Sequence, residues 1–459
     1  MTLDADQPSN SRRLADFTAG LAREGLPEEV VHAAKRALVD WLAAVLAGCR
    51  EVAAGKVRGV VRSIGSEPVA TAIGTDLMTS APFAALANGY ASHLQDYDDV
   101  FNPPQTTIHL GSCVWPVVMA LGESRRVSGR EALTSYLSGF EAGARVGIAA
   151  GVTHFESSWQ VSGTAGHLAS AAAAARTLRL PSAQTVNALG LAAAQAAGIR
   201  EVYGTDTKAM QPGKAAMDGI LCALFAEAGM TSSDTALEGK RGLLSAIASA
   251  PDPDRLVAGL GSQWHVLYNG HKLYPSASLN HPAVDAAIEL HRAATFDIED
   301  IEAIEVRMLP FAASVTDVIH PSPGAGAKFS TAHCVAVALT TGQLGLDDFG
   351  ANRVDQPAIT RLRDRTKVLG DPAIGKRAVS LTIQLRGERE LLQDIENNRG
   401  TPENPLTDQE LEAKLYEVAS GRYPESAIAK VINCCWDLDF LDDVTEVLTP
   451  LRIALEGVA

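Results

Sequence analysis

From Ser11 to about Gly261 the apolar residues recur at helical spacing, and beyond Pro275 that spacing gives way to alternation. This switch confines the chain to a helical body carrying a separate α+β segment. Pro27 suits the first position of a helix, after which Val30, Ala34, Leu38, Trp41, Leu42 and Val45 follow at three- and four-residue steps up to Gly48. Helices are also predicted from Pro82 to Ser92, from Thr164 to Leu178 through the block Ala171 to Ala175, and from Pro181 to Ala197. Alanine favours helix and lets helix axes approach closely, so the last two should pack tightly. In the later segment Ile304, Val306 and Met308 alternate, as do Val379, Leu381, Ile383 and Leu385, with helices expected at His281 to His291 and Ser330 to Leu339. Helix resumes at Thr407, where TDQE has the spacing of a capping box. The expected organisation is mainly α: a large helical domain over residues 1–266 and 397–459, with a smaller α+β lid domain over 267–396.

Charge narrows the choice of partner. Lys and Arg number 39 against 54 Asp and Glu, a net charge of −15, so a phosphate backbone would be repelled and nucleic acid is not expected. An anionic small substrate would need a local cationic pocket inside this acidic envelope. The opening residues MTLDADQPSNSRR carry acidic groups and lead into no long apolar run, and the apolar stretch Leu38 to Ala47 is broken by Asp40. Neither a secretory signal nor a membrane span is therefore expected, and a cytoplasmic location is. The six cysteines are scattered, without zinc-ligand or iron–sulfur spacing, and read as buried thiols.

The chemistry is expected in HLQDYDDVFNPPQTTIH, residues 93–109, where two histidines and Asp96, Asp98 and Asp99 fall within one short segment. The carboxylates lie at or past the C-terminal end of a helix, against its dipole, which suggests a purpose other than local stability. Asp98 and Asp99 are equally compatible with a solvated helix end. The His93 to Asp96 spacing suits a metal on a helical face, but no second ligand cluster accompanies it, so no metal is expected. His154, His167, His265, His271, His291, His320 and His333 read as structural or surface residues, and GLGSQ at 259–263 lacks the strand-turn-helix context of a nucleotide site.

Seven stretches, ANGYASHLQDYDDV, SGTAGHLASAAAAARTLRL, GTDTKAMQPGKAAMDG, LEGKRGLL, KLYPSASLNHPAVDA, AKFSTAHCVAVAL and GTPENPLTDQELEAKL, occur in an order that resembles the MmgE/PrpD family across nearly the whole chain. That family includes 2-methylcitrate dehydratase, cis-aconitate decarboxylase and iminodisuccinate epimerase. The resemblance implies a helical domain with an α+β lid, a cleft site, a homodimer, no cofactor and a small anionic substrate. The implied reaction is cofactor-independent removal of a proton alpha to a carboxylate or imine of a small polycarboxylate, by a lyase or epimerase. The implied catalytic residues are Asp96, His109, Lys208 and His281, with Gln160, Arg200, Gln211 and Lys272 as substrate-binding candidates. A histidine would move the proton, Lys208 would meet a carboxylate or the enolate-like charge, and Asp96 would orient an imidazole. Relatives often carry histidine where this chain has Gln160 and Gln211, and a longer spacer, NPPQTT, precedes His109. Glutamine binds a carboxylate but shuttles no proton. That tilts the reading toward epimerisation or an unusual lyase reaction, whereas the family's best-known members are dehydratases. The alternative is a catalytically reduced member that binds a small molecule or acts as a scaffold.

Overall fold

The computed structural model describes residues 8–293 and 296–452; the opening MTLDADQ stretch lies outside them. The fold is mainly α, with a small sheet in its C-terminal part. Two compact units emerge: unit 1 comprises residues 1–94, 98–270 and 407–459, and unit 2 comprises 95–97 and 271–406.

Unit 1 is built on long helices: α1 (Glu28–Gly48), α2 (Ala81–Leu94), α3 (Gly111–Arg125), α4 (Gly129–Ala150), α5 (Val161–Thr177), α6 (Ser182–Gln195) and α7 (Thr207–Glu227). Pro27 stands at the N-cap of α1, one position before the expected first turn. Helix α5 packs against both α4 and α7, and α7 against α2. The side chains Ala171 to Ala175 are fully buried, as the close approach of alanine-lined helices requires. At the crossing of α2 and α7 two glycines meet. A Cβ on Gly89 would lie 2.9 Å from the Cα of Gly213, and one on Gly213 would lie 2.8 Å from the Leu86 carbonyl oxygen. Two short antiparallel ladders, β1 (Ala70–Thr71) with β2 (Met78–Thr79) and β3 (Val100–Phe101) with β4 (Asn269–Gly270), interrupt a region whose sequence pattern is helical throughout. Two-residue strands are too short to carry a period of their own.

Unit 2 holds a four-stranded sheet of order β6-β5-β7-β8, from β5 (Ile301–Met308), β6 (Thr366–Gly370), β7 (Val379–Leu385) and β8 (Arg389–Ile395). β5 runs parallel to β6 and antiparallel to β7, pairing Ile304 with Ile383 and Val306 with Leu381. The alternating residues of β5 and β7 point into a core shared with α8 (His281–Ala293) and α9 (Thr331–Thr341). Helix α10 (Asp408–Ala419) returns the chain to unit 1, and its Thr407–Glu410 capping box forms with both reciprocal hydrogen bonds. Among the described residues no helix is long and apolar enough to cross a membrane. All six cysteines are buried free thiols.

Candidate functional site

The chain leaves α2 at Leu94 and re-enters helix at Gly111, and between these points, within unit 1, it folds Asp98 and Asp99 inward. Asp98 and Asp99 are 1% and 2% exposed, so the solvated helix end, one of two readings left open by sequence, is not what forms. The charge that opposes the dipole of α2 meets the positive end of α3 instead. The Gly111 N–H donates to both carboxylate oxygens of Asp99, at 2.9 and 3.1 Å, and Asn269 Nδ2 donates to Oδ2 at 2.7 Å. Only glycine admits this approach, because a Cβ at 111 would lie 2.7 Å from Asp99 Oδ1. Burial, reinforced by the Asp40 and Asp98 carboxylates and partly countered by Asn269 and Gly111, holds Asp99 well above the usual carboxylate range.

Asp98 links two imidazoles. Its Oδ2 accepts from His93 Nδ1 at 2.8 Å and from the Ser112 hydroxyl at 2.6 Å, and lies 3.5 Å from His109 Nδ1. Ser92 donates in turn to Ser112 Oγ at 2.8 Å. The two rings meet edge to face, with centroids 4.6 Å apart. His109 Nδ1 also lies 2.7 Å from the Asp99 carbonyl oxygen. A carbonyl only accepts, so Nδ1 carries a proton. The His109 N–H is held by Ser162 Oγ at 3.0 Å, which ties this loop to the first turn of α5. His93, Asp98 and His109 form the one group of His, Cys, Asp and Glu found among the described residues with ligand atoms within 4.8 Å of one another. A cation could be held there, although His93 Nδ1, His109 Nδ1 and Asp98 Oδ2 are already engaged in hydrogen bonds. The partner of His93 is Asp98 rather than Asp96, on which the sequence spacing had focused.

The other unit 1 candidates sit on or beside α5 and α7. Lys208 lies in the first turn of α7, half-buried, with Nζ 5.7 Å from the centre of the Tyr203 ring. Pro212, one turn on, has no N–H to offer the Lys208 carbonyl in the helical ladder. Gln160, Gln211 and Arg200 converge on one strip of backbone. Gln160 is the N-cap of α5, with Oε1 accepting from the Gly163 N–H at 2.5 Å and its own N–H donating to the Gly198 carbonyl at 3.1 Å. Gln211 Nε2 donates to the Ile199 carbonyl at 3.4 Å. Arg200 donates to the Phe155 carbonyl at 3.1 Å and stacks 4.0 Å over that ring.

Close by in sequence, His167 joins α5 to α7: Nδ1 meets the Gly163 carbonyl at 2.5 Å, and Nε2 lies 3.0 Å from Asp218 Oδ2. Lys214 Nζ sits 2.5 Å from Asp218 Oδ1. Burial alone would raise Asp218, but the bonds and charges of His167 and Lys214 outweigh it and hold the carboxyl below its usual range.

In unit 2, Asp96 adopts the left-handed region at φ 54° and pairs with Lys272, Nζ to Oδ1 2.5 Å, with a second bond of 3.0 Å to the Asp96 carbonyl. Both side chains are buried, 7% and 1% exposed. Lys328 likewise binds the Gln95 carbonyl at 2.7 Å and the Gln95 side-chain oxygen. Two buried ammonium groups thus grip consecutive residues. His281 opens α8, is 2% exposed, and packs edge to face on Tyr274 at 5.2 Å. The Tyr274 hydroxyl donates to Asp285 at 2.6 Å, which fixes the ring that His281 rests on.

Residues 12–256 match the MmgE/PrpD N-terminal domain, and residues 274–438 match the MmgE/PrpD C-terminal domain. The chain belongs to the MmgE/PrpD family. Cis-aconitate decarboxylase of Aspergillus terreus is 24% identical over 97% of this chain and 96% of its own length. The enzymes of that name from Mus musculus and Homo sapiens are also 24% identical, covering 96% and 94% of this chain and 93% and 92% of theirs. Membership of the MmgE/PrpD family indicates a lyase-type enzyme at the level of the family.

Of the residues expected from the MmgE/PrpD resemblance, the structure brings Asp96 together with Lys272, and Gln160 and Gln211 together with Arg200. His109 is joined by His93, for which the sequence suggests only a metal-ligand role, by Asp98, and through Asp98 by Ser112. Ser112 carried no signal at all. Asp98 carried one, since it stands five residues after His93 in a segment already rich in carboxylates.

Proposed function

We propose that this MmgE/PrpD protein is a cofactor-independent lyase or epimerase that removes a proton alpha to a carboxylate, or imine, of a small polycarboxylate. The observation that carries the proposal is the anchoring of His109, whose Nδ1–H is committed to the Asp99 carbonyl at 2.7 Å beside the Asp98 carboxylate, which orients the imidazole for proton transfer. In this reading Asp98 is a positioning residue that steadies His93 and stabilises the imidazolium formed as His109 takes the proton. Lys208 meets a substrate carboxylate or the enolate-like charge, and His281 returns a proton or protonates a leaving group. Gln160, Gln211, Arg200 and Lys272 orient the remaining carboxylates, and Asp96 keeps Lys272 in place. The names of the relatives favour a tricarboxylate such as cis-aconitate as the first compound to try, with decarboxylation as one outcome.

Incubation with cis-aconitate, 2-methylcitrate, iminodisuccinate and related acids in deuterium oxide, followed by NMR, tests the reading. Deuterium incorporation or product formation is expected with at least one of them. Lys208→Ala and His281→Ala should each slow that reaction by about 10²-fold or more without altering circular dichroism or thermal unfolding. Full activity in both variants would overturn the assignment. Tight binding of one acid without any exchange would favour a small-molecule-binding or scaffold protein.

A further inference from the structure

In a chain of net charge −15, one open cleft of about 500 Å³ is lined by five arginines, Arg23, Arg126, Arg130, Arg176 and Arg179, against three carboxylates, Glu24, Glu131 and Asp442. All belong to unit 1. Three of the arginines are neutralised: Arg23 by Glu28 and Asp439, both at 3.1 Å, Arg130 by Glu24 at 3.4 Å, and Arg179 by Glu131. The other two are not. The Arg126 backbone N–H caps α3 on the Gly122 carbonyl, but its exposed guanidinium makes no hydrogen bond or ion pair among the described residues. Arg176 spends only its Nε–H, on the Leu21 carbonyl at 3.0 Å, and although it is half-buried it forms no direct ion pair among the described residues, the charge of Glu131, already engaged by Arg179, acting on it only from a distance. A desolvated cation without a counter-ion is unfavourable.

Backbone geometry points the same way. Arg126 and Arg179 occupy the left-handed region at φ 54° and 53°, two of five non-glycine residues found there among the described residues. Glycine would relax either position, so the strain is set against something the arginine side chain does. The helix dipole explains one cation at the C-terminal end of α3 and one at that of α5. It does not explain why both, with Arg130, gather at the N-terminus of α4, whose own positive end repels them.

We propose that this cleft binds a small oxyanion carrying two or more negative charges, of the polyphosphate or polycarboxylate class, at a second site apart from the candidate catalytic residues. His109 and Gln160 precede the first turns of α3 and α5, whereas Arg126 and Arg176 stand at their ends. Helices of 15 and 17 residues separate these positions by roughly 22–25 Å at about 1.5 Å per residue. An anion there would clamp the ends of α3 and α5 to the start of α4.

The test is calorimetric titration and thermal unfolding of the full chain with pyrophosphate and with citrate at low salt, for wild type, Arg126→Gly and Arg176→Gln. At least one probe should bind wild type and raise its Tm. Arg126→Gly should unfold at a higher temperature than wild type without ligand, because its backbone is relaxed, yet bind about ten-fold more weakly or worse, and Arg176→Gln should share that loss. Variant-sensitive binding of pyrophosphate identifies a phosphate ligand, and variant-sensitive binding of citrate a carboxylate one. Absence of binding by both probes, or binding equally tight in both variants, overturns the proposal.

Discussion

Replacing Asp98 with asparagine removes one negative charge from the centre of the His93–His109 pair while keeping its shape. The Asp98 oxygen is 3.5 Å from His109 Nδ1. At an effective dielectric constant of about 20, its attraction for an imidazolium there is roughly 4–5 kcal/mol. The hydrogen bonds from His93 and Ser112 already spread the carboxylate charge, so about half of that, roughly 2–3 kcal/mol, is expected to reach the transition state. This corresponds to a loss of about 30- to 150-fold in kcat. The sign of the pH effect separates positioning from simple damage: without the nearby charge His109 protonates less readily, so the acid limb of kcat/KM moves to lower pH even as the rate falls. Stopped assays on the substrate found by deuterium exchange, run across pH on wild type, Asp98→Asn and Asp98→Glu, would show this. An Asp98→Asn enzyme within three-fold of wild type, or one with an unmoved acid limb, would refute the electrostatic role.

Two further expectations concern stability. Lys272→Met leaves the buried Asp96 carboxylate without its ammonium partner and should cost about 3–5 kcal/mol in urea unfolding, with much of the loss recovered when Asp96→Asn is added; a single variant within 1 kcal/mol of wild type would contradict this. Asp218 is held below its ordinary value of 3.8 in the folded chain, so its ionised form contributes stability above that pH and loses it as the pH falls through the folded value. Asp218→Asn should therefore be less stable than wild type at neutral pH, and the gap should narrow in denaturation curves taken toward pH 3; a gap that widens on acidification would show that the carboxyl is not the stabilising partner.

Legibility in the sequence followed the length of the repeating pattern. The helices that begin after Pro27, Pro181 and Thr407, and the strands at Ile304 and Val379, announce themselves through caps and periods that need only nearby residues. Around Lys208 the residues Gly204, Thr205 and Thr207 favour a turn, and Pro212 follows; packing of α7 against α2 and α5 overrides those local signals and starts the helix at Thr207. The acidic cluster was visible, but the division of labour within it was not. Whether a carboxylate in DYDD meets a lysine, an imidazole or a helix N-terminus depends on Lys272, His109 and Gly111, which loops bring back from elsewhere in the chain. For the same reason the arginines of the α4 cleft, drawn from three separate stretches of sequence, form no motif.

The contact of Gly89 with Gly213 leaves α2 and α7 no slack at the level of main chain. His93 stands four residues beyond the first and Lys208 five before the second, so both inherit their positions from a joint that no side chain can shim. Changes of substrate in descendants of this protein should accordingly arise through exchanges at the helix tips and connecting loops, and libraries aimed at new specificity will find tolerance there while the joint itself stays closed to every residue but glycine.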